Sequence, residues 1–235
     1  MYSWLIKNIS SGFDFVSVLK QSDLSCVKLY RNKNTGQKVI VRYIKDGIEI
    51  YEKLLKISNK HIPTIYEVAL NHDKSEAIVI EEYISGMTVG DVLESGCYSE
   101  EGTRIVIRSL CDALIVLHSM NIVHRDIKPE NIVISDSGDV YLIDYNSSRE
   151  YKNDALKDTR ILGTHGFAAP EQYGIGQTDF RTDIYAIGVL MNVMLTGEHP
   201  TQKMYEGKLS KVINKCIQSN PDKRYKDIVE LREKV

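Results

Sequence analysis

The spacing of hydrophobic and polar residues changes partway along the chain, near Ser99. Up to about Tyr83 the apolar residues form short runs that are typical of β-strands. These runs lie at 27–30, 39–41 and 77–80. One stretch between them, 48–57, has the spacing of a helix instead. The first part of the chain is therefore predicted to be strand-rich with a single helix.

Beyond Ser99 the apolar positions repeat at helical spacing as far as Asn121. The repeating residues are Ile105, Leu110, Ala113, Leu114 and Leu117. Ser99 is followed by two glutamates, as the start of a helix should be. A second apolar helix is predicted near 183–196, with two shorter ones before Val235. The fold class is therefore α+β, with a β-rich N-terminal lobe at about 1–83, a junction at about 82–86 and a helical lobe at about 87–235.

Composition narrows the function classes. The chain has 235 residues, 43% hydrophobic and 26% charged, enough to bury a sizeable core in one or two compact units. A net charge of -2 gives no electrostatic reason to expect nucleic acid or a membrane surface as partner. The opening residues lack the pattern of a secretory signal, and no stretch reaches about 18 apolar residues, so we expect a soluble, cytoplasmic protein. The four cysteines include no CxxC pair and are interpreted as core residues.

A carboxylate, an amine and a carboxamide lie close together in the segment HRDIKPEN, residues 124–131. Asp126 can accept a hydroxyl proton, Lys128 can neutralise phosphate charge and Asn131 can hold a metal ion. Further on, an apolar run leads into a second carboxylate, Asp144. Two oxygen ligands for a hard cation then flank a base, which suits phosphoryl transfer.

Four motifs follow one another at workable spacings: HRDIKPEN at 124–131, IDYN at 143–146, Gly-Thr at 163–164 and APE at 169–171. This ordered set resembles the catalytic domain of Hanks-type (eukaryotic-like) serine/threonine protein kinases, most like compact bacterial members. The resemblance implies a bilobal kinase fold. It also implies transfer of the γ-phosphoryl group of ATP to a Ser or Thr hydroxyl of a protein substrate.

The resemblance assigns roles to the polar residues of the second lobe. Asp126 would be the catalytic base, and Lys128 would lie beside the transferring phosphoryl group. Asn131 and Asp144 would bind Mg²⁺, or Mn²⁺ in its place. His124 is expected to pack beneath the loop and not to act in the chemistry.

The junction between the lobes is expected to bind adenine, since a crevice between two lobes commonly holds a small cofactor. By resemblance, the backbone of Glu82 and Ile84 would hydrogen-bond adenine. This alignment puts Glu81 at the gatekeeper position beside adenine, where an apolar residue is commoner. Glu81 is either a partly solvated carboxylate or a residue that takes part in nucleotide selection.

The phosphate-binding loop departs from the family pattern, because Lys20, Ser22 and Ser25 stand where three glycines belong. The loop should hold triphosphate more loosely or follow a different path, since glycine alone turns its backbone amides freely toward phosphate. In IDYN the family's DFG glycine is replaced by Asn146, which is expected to adopt its positive φ.

A second departure concerns the lysine that contacts the α- and β-phosphates, which is replaced by Arg42. Arginine keeps the positive charge but has a larger, planar head group. We still expect Arg42 to contact phosphate. Its acidic partner on the following helix is predicted to be Glu52, in preference to Glu49, because Glu52 would share a face with Ile48 and Leu55.

Further expectations concern the scaffold and its regulation. Glu171 is expected to pair with Arg224, and Asp183 to cap the backbone of the catalytic loop. Phosphorylation of Thr159 could order its segment against Arg125, although a solvated loop is an equal alternative.

Two other readings compete with an active kinase. A pseudokinase, acting as a nucleotide- or protein-binding module, is favoured by the missing glycines and by Arg42. The retained Asp126, Lys128, Asn131 and Asp144 favour the enzyme. A small-molecule phosphotransferase fits less well, because the APE motif resembles a platform for peptide substrates.

Overall fold

A computed structural model describes residues 2–151, 166–173 and 178–235. Residue contacts divide the chain into two compact units, Met1–Ile84 and Ser85–Val235. Thr159 and the Gly-Thr pair at 163–164 lie outside the described residues, so the predictions made for them stay predictions.

The first unit is built on a five-stranded antiparallel sheet with strand order β1-β2-β3-β5-β4. Its elements are α1 (Tyr2–Gly12), β1 (Phe13–Gln21), β2 (Ser25–Asn32), β3 (Lys38–Ile44), α2 (Ile48–Leu54), β4 (Ile65–Leu70) and β5 (Ala77–Glu82). The central strand β3 is a nearly continuous apolar run because both its faces are covered. Val39 and Val41 belong to one core cluster, and Ile40 packs with Val27 and Leu29 in another.

Helix α1 was not predicted from the sequence. It buries Leu5 and Ile9, one helical turn apart, in the core cluster that contains Val39 and Val41. Trp4 and other apolar residues of the helix remain exposed, so the apolar positions do not form one clean stripe. The helix therefore covers one face of the sheet through only two fully buried side chains.

Helix α2 differs from its prediction in both length and orientation. It ends at Leu54 instead of continuing to residue 57. Its buried face is formed by Ile50, Tyr51 and Leu54, whereas Leu55 is 40% exposed. Because the buried stripe lies one position away from the predicted one, Glu52 is exposed.

Among its described residues, the second unit has five α-helices and two small sheets, with strand orders β6-β8-β9 and β10-β7. Its elements are β6 (Gly86–Thr88), α3 (Val89–Leu93), α4 (Glu100–Ser119), β7 (Ile122–Val123), β8 (Ile132–Ser135), β9 (Val140–Leu142), β10 (Arg149–Glu150), α5 (Phe180–Thr196), α6 (Ser210–Cys216) and α7 (Ile228–Arg232). Within the described ranges, no helix has the length and apolar composition needed to cross a bilayer.

The start of α4 is confirmed. The Ser99 hydroxyl accepts a hydrogen bond of 3.1 Å from the Gly102 amide, which caps the helix. Its buried residues include Leu110, Leu114 and Leu117. Ile105, predicted to belong to this apolar face, is instead 52% exposed.

The predicted pair between Glu171 and Arg224 is also confirmed. Arg224 donates from Nη1 to Glu171 Oε1 at 2.6 Å and from Nη2 to Oε2 at 2.8 Å, and both residues are buried. Thr182 on α5 donates a further hydrogen bond to the same carboxylate. This bidentate pair ties the APE segment to the C-terminal part of the unit.

We predict that Glu171→Gln lowers the free energy of unfolding by about 3–5 kcal/mol, because it leaves the Arg224 charge buried without a counter-charge. Asp112→Asn is the matched control, since it breaks the more exposed Asp112–Arg232 pair and should cost less than about 1 kcal/mol. Urea denaturation of both variants checks this. Equal losses would contradict the buried-pair interpretation.

Candidate catalytic site

Three of the predicted site residues lie in contact on the loop between β7 and β8. The Asn131 amide nitrogen donates to the Asp126 backbone carbonyl at 2.8 Å and to Asp126 Oδ2 at 2.9 Å. Lys128 Nζ lies 3.2 Å from the same Oδ2. The Asp126 carboxylate is thus held in place beside an amine and an amide, which fix its orientation on the loop.

Asp144 reaches this loop through the hairpin of β8 and β9. Ile132 pairs with Leu142 across the hairpin, and the Ile143 amide donates to the Asn131 carbonyl at 2.9 Å. Asp144 therefore follows directly after a residue bonded to the catalytic loop. Asp144 itself adopts the positive φ, 66°, that was predicted for Asn146. Aspartate tolerates this region better than most residues, so the positive φ lies two residues earlier than the position of the family's glycine, and the prediction for Asn146 is wrong.

Asn131 and Asp144 have the chemistry of a magnesium site. The amide nitrogen of Asn131 is engaged with Asp126, which leaves the side-chain oxygen as the atom that could bind a metal ion. In the part of the chain that the structure describes, no group of three or more His, Cys, Asp or Glu could hold a metal by itself. One carboxylate and one carboxamide fit Mg²⁺, which usually takes its remaining ligands from substrate phosphates and water.

The backbone of the loop is held by Asp183 of α5, as predicted. Its Oδ2 accepts hydrogen bonds from the His124 amide and from His118 Nε2, both at 2.9 Å, and its Oδ1 accepts one from the Arg125 amide at 2.8 Å. Burial on its own would raise the pKa of Asp183. The hydrogen bond and charge of His118, aided by His124 and the Arg125 amide, hold it below the ordinary value of 3.8.

His124 supports the loop from beneath, in agreement with its prediction. It is fully buried, its Nδ1 accepts a 3.4 Å hydrogen bond from the Asp126 amide, and its ring meets the edge of Tyr145 at 5.3 Å. Burial lowers its pKa, which favours the neutral imidazole. Tyr145, the aromatic residue of IDYN, donates its hydroxyl proton to the Leu142 carbonyl at 2.7 Å. Tyr145 thereby connects the end of β9 to the His124 ring.

Gln172 is a positioning residue that the sequence did not reveal. Its side chain is buried, its Nε2 donates to the Arg125 carbonyl, and its Oε1 accepts from the Ala169 amide, both at 2.9 Å. Gln172 thereby joins the APE segment to the catalytic loop. Its place directly after APE was the available signal, but nothing in its own chemistry distinguishes it from a surface glutamine.

Comparison with known proteins agrees with this arrangement. Residues 16–233 match the family model described as a protein kinase domain. The chain is 29% identical over 254 residues to serine/threonine-protein kinase D of Synechocystis, covering 94% of this chain and 49% of that protein. It is 35% identical over 147 residues to PknL of Mycobacterium tuberculosis, covering 62% and 36%. It is 25% identical over 265 residues to cds1 of Schizosaccharomyces pombe, covering 94% and 57%.

The chain belongs to the protein kinase domain family. It spans about half or less of the length of the first curated relatives that it matches.

The first unit of this kinase domain departs from the family at the phosphate-contacting lysine. Arg42 is 4% exposed, and its Nη2 lies 2.7 Å from Oε1 of the equally buried Glu81. Glu52, the predicted partner, is exposed and forms no ion pair with any described residue. Within this unit, the carboxylate that pairs with Arg42 therefore comes from strand β5, since α2 turns a different face inward.

The turn at the position of the glycine-rich loop is closed on itself. The Ser22 amide donates to the Ser25 carbonyl at 2.8 Å, and the Ser25 amide donates to the Ser22 hydroxyl at 3.1 Å. Neither serine, nor Lys20, has a positive φ. The turn therefore lacks the left-handed backbone that glycine would allow, and both predicted consequences, looser binding of triphosphate or a different loop path, stay predictions.

At the end of β5, the Glu82 amide donates to the Thr64 carbonyl at 2.8 Å. An adenine contact from Glu82 would therefore use its carbonyl oxygen. The prediction that Glu82 and Ile84 bind adenine remains a prediction.

We predict that Asp183→Asn lowers the free energy of unfolding by about 3 kcal/mol at pH 7, since a neutral amide accepts the three hydrogen bonds poorly. Asp179→Asn, at the N-cap of the same helix, is the control and should cost less than about 1 kcal/mol because asparagine also caps helices.

The same variant has a pH signature. The lowered pKa of Asp183 means that its ionised form contributes stability above the unfolded value of 3.8, and that this contribution is lost as pH falls below it. The difference between wild type and Asp183→Asn should therefore shrink below pH 3.8. A difference that stays constant from neutral to acid pH would show that the charge of Asp183 is not what stabilises the loop.

Proposed function

We propose that this protein is an ATP-dependent serine/threonine protein kinase. The observation that carries the proposal is the Asp126 carboxylate, held by Asn131 and Lys128 on a loop that is bonded to the strand leading into Asp144. The relatives named as serine/threonine-protein kinases support the same activity.

In the proposed reaction, Asp126 orients the substrate hydroxyl and accepts its proton as the new oxygen–phosphorus bond forms and the bond from the γ-phosphorus to ADP breaks. Lys128 lies beside the same carboxylate and offsets negative charge on the transferred group. Asp183 and Gln172 touch neither reactant, and they keep the backbone of the loop in place.

Asn131 and Asp144 would hold Mg²⁺, with Mn²⁺ as a possible substitute. The metal ion supplies charge neutralisation at the phosphates when it is bound. Arg42 would contact the α- and β-phosphates, and the backbone of Glu82 and Ile84 would bind adenine.

The acceptor is proposed to be a serine or threonine of a protein, because Lys128 stands at the loop position where serine/threonine kinases have lysine. A cytoplasmic location is part of the same proposal. Nucleic acid is not proposed as a partner, since the net charge is -2.

The proposal predicts that Asp126→Asn lowers phosphoryl transfer at least about 100-fold while ATP binding changes little, because the base acts on the acceptor hydroxyl. Asp136→Asn, an exposed carboxylate on the turn between β8 and β9, is the control and should retain wild-type activity. Activity is measured with labelled ATP, and binding by calorimetry. Equal activity of wild type and Asp126→Asn would remove the assignment of the base.

Asp144→Asn is predicted to act differently, by weakening ATP binding in a way that depends on the metal. Removing a carboxylate ligand should raise the Mg²⁺ concentration needed for half-maximal ATP binding by about tenfold. A magnesium titration of ATP affinity measures this effect. Unchanged magnesium dependence would show that Asp144 is not a metal ligand.

A further inference from the structure

We propose that Glu81 is the positioning residue for the phosphate-contacting arginine, so that the sheet and not helix α2 sets where the Arg42 guanidinium lies. The inference rests on the proposed function, because it takes Arg42 to be a phosphate contact. It gives Glu81 a definite role in place of the two alternatives that the sequence allowed.

The register of the sheet places the two residues together. Arg42 on β3 lies opposite Val79 of β5, and Glu81 lies opposite Ile40. Side chains two residues apart on a strand share a face, so Arg42 and Glu81 are diagonal neighbours on one face of adjoining strands. Both strands are internal to the five-stranded sheet, with β2 beyond β3 and β4 beyond β5. The pair is therefore anchored by backbone that has a bonded neighbour on either side.

The electrostatics of this location require such a pair. The side chains of Arg42 and Glu81 are each 5% exposed, and a buried charge is strongly unfavourable without a counter-charge. The 2.7 Å contact supplies one to both. Without the arginine, the Glu81 carboxylate would be buried in the sheet without this counter-charge.

Helix α2 contributes an aromatic ring to this environment and not a carboxylate. The Tyr51 ring centroid lies 6.0 Å from the guanidinium carbon of Arg42, within the range of a cation–π interaction. Glu49 and Glu52 are both exposed, because the buried stripe of the helix is formed by Ile50, Tyr51 and Leu54. The orientation of α2 thus agrees with a carboxylate provided from elsewhere.

The pairing also gives a reason for arginine at this position. A guanidinium carries five N–H donors in a rigid fork, so one edge can stay on Glu81 while other donors serve a phosphate. An ammonium is a compact point charge at the end of a flexible chain, and Glu81 would compete directly with the nucleotide for it. Arg42 and Glu81 are therefore expected to function as a unit.

The first arm of the test measures coupling without nucleotide. Arg42→Ala, Glu81→Gln and the double variant form a cycle in urea denaturation, and Glu52→Gln is measured alongside. We expect Arg42→Ala and Glu81→Gln each to lower the folding equilibrium constant at least tenfold. The double variant should lower this constant by much less than the product of the two single effects. Glu52→Gln should change the constant less than threefold. Multiplicative losses for Arg42 and Glu81 would overturn the inference.

The second arm separates positioning from simple structural support. Glu81→Gln should raise the KM for ATP about tenfold while kcat at saturating ATP stays within about threefold, and Glu81→Asp, which keeps the charge, should restore part of the loss. In the Arg42→Ala background, Glu81→Gln should change KM less than twofold. If the wild type transfers no phosphate, the ATP dissociation constant replaces KM.

The outcomes separate the two proposals. Absence of phosphoryl transfer with intact ATP binding overturns the proposed function, and the coupling in urea and in ATP affinity still decides the role of Glu81. An unchanged ATP affinity in Arg42→Ala means that Arg42 is not a phosphate contact, which overturns the inference but leaves the kinase activity standing. Glu81 does not position Arg42 if Glu81→Gln has a normal KM for ATP while Arg42→Ala or Glu52→Gln has a raised one.

Discussion

The buried carboxylate of Asp183 is the constraint on which the geometry of the catalytic loop depends. It binds the amides of His124 and Arg125, and Arg125 adopts a φ of 68° that costs free energy for any residue other than glycine. A fully buried carboxylate is itself costly unless its oxygens are hydrogen-bonded. Carboxylate and loop therefore stabilise each other, and Asp126 comes directly after the residues that they hold.

The same requirement, that buried charge be compensated, explains the other unusual features. Glu171 and Arg224 form a closed pair in the second unit, and Arg42 and Glu81 form one in the first. A buried pair of this kind adds little net stability but penalises strongly the loss of one partner. Arg42 and Glu81 each depart from the family pattern, yet together they form a compensated unit. Because each buried charge compensates the other, the two departures are best understood together.

The predicted contacts are confirmed where a motif is local or has one available partner, while the catalytic and metal-binding roles stay predictions. Asp126, Lys128 and Asn131 lie within six residues of one another, and the Ser99 cap depends on residues next to it. The predictions were wrong or incomplete where a contact depended on tertiary packing. The Arg42 partner depends on the register between β3 and β5, the buried face of α2 is ambiguous in a helix of seven residues, and Gln172 gains its role only from the loop it meets.

Phosphoryl transfer from ATP to a hydroxyl is the activity on which the proposed function depends. Its most direct measurement is incubation of the wild-type protein with γ-labelled ATP and Mg²⁺, followed by mass spectrometry of the protein itself and of a generic basic substrate. The proposed function predicts labelled phosphoserine or phosphothreonine with matching release of ADP. Binding of ATP with no transfer in Mg²⁺ or Mn²⁺ would contradict it and would identify the domain as a pseudokinase.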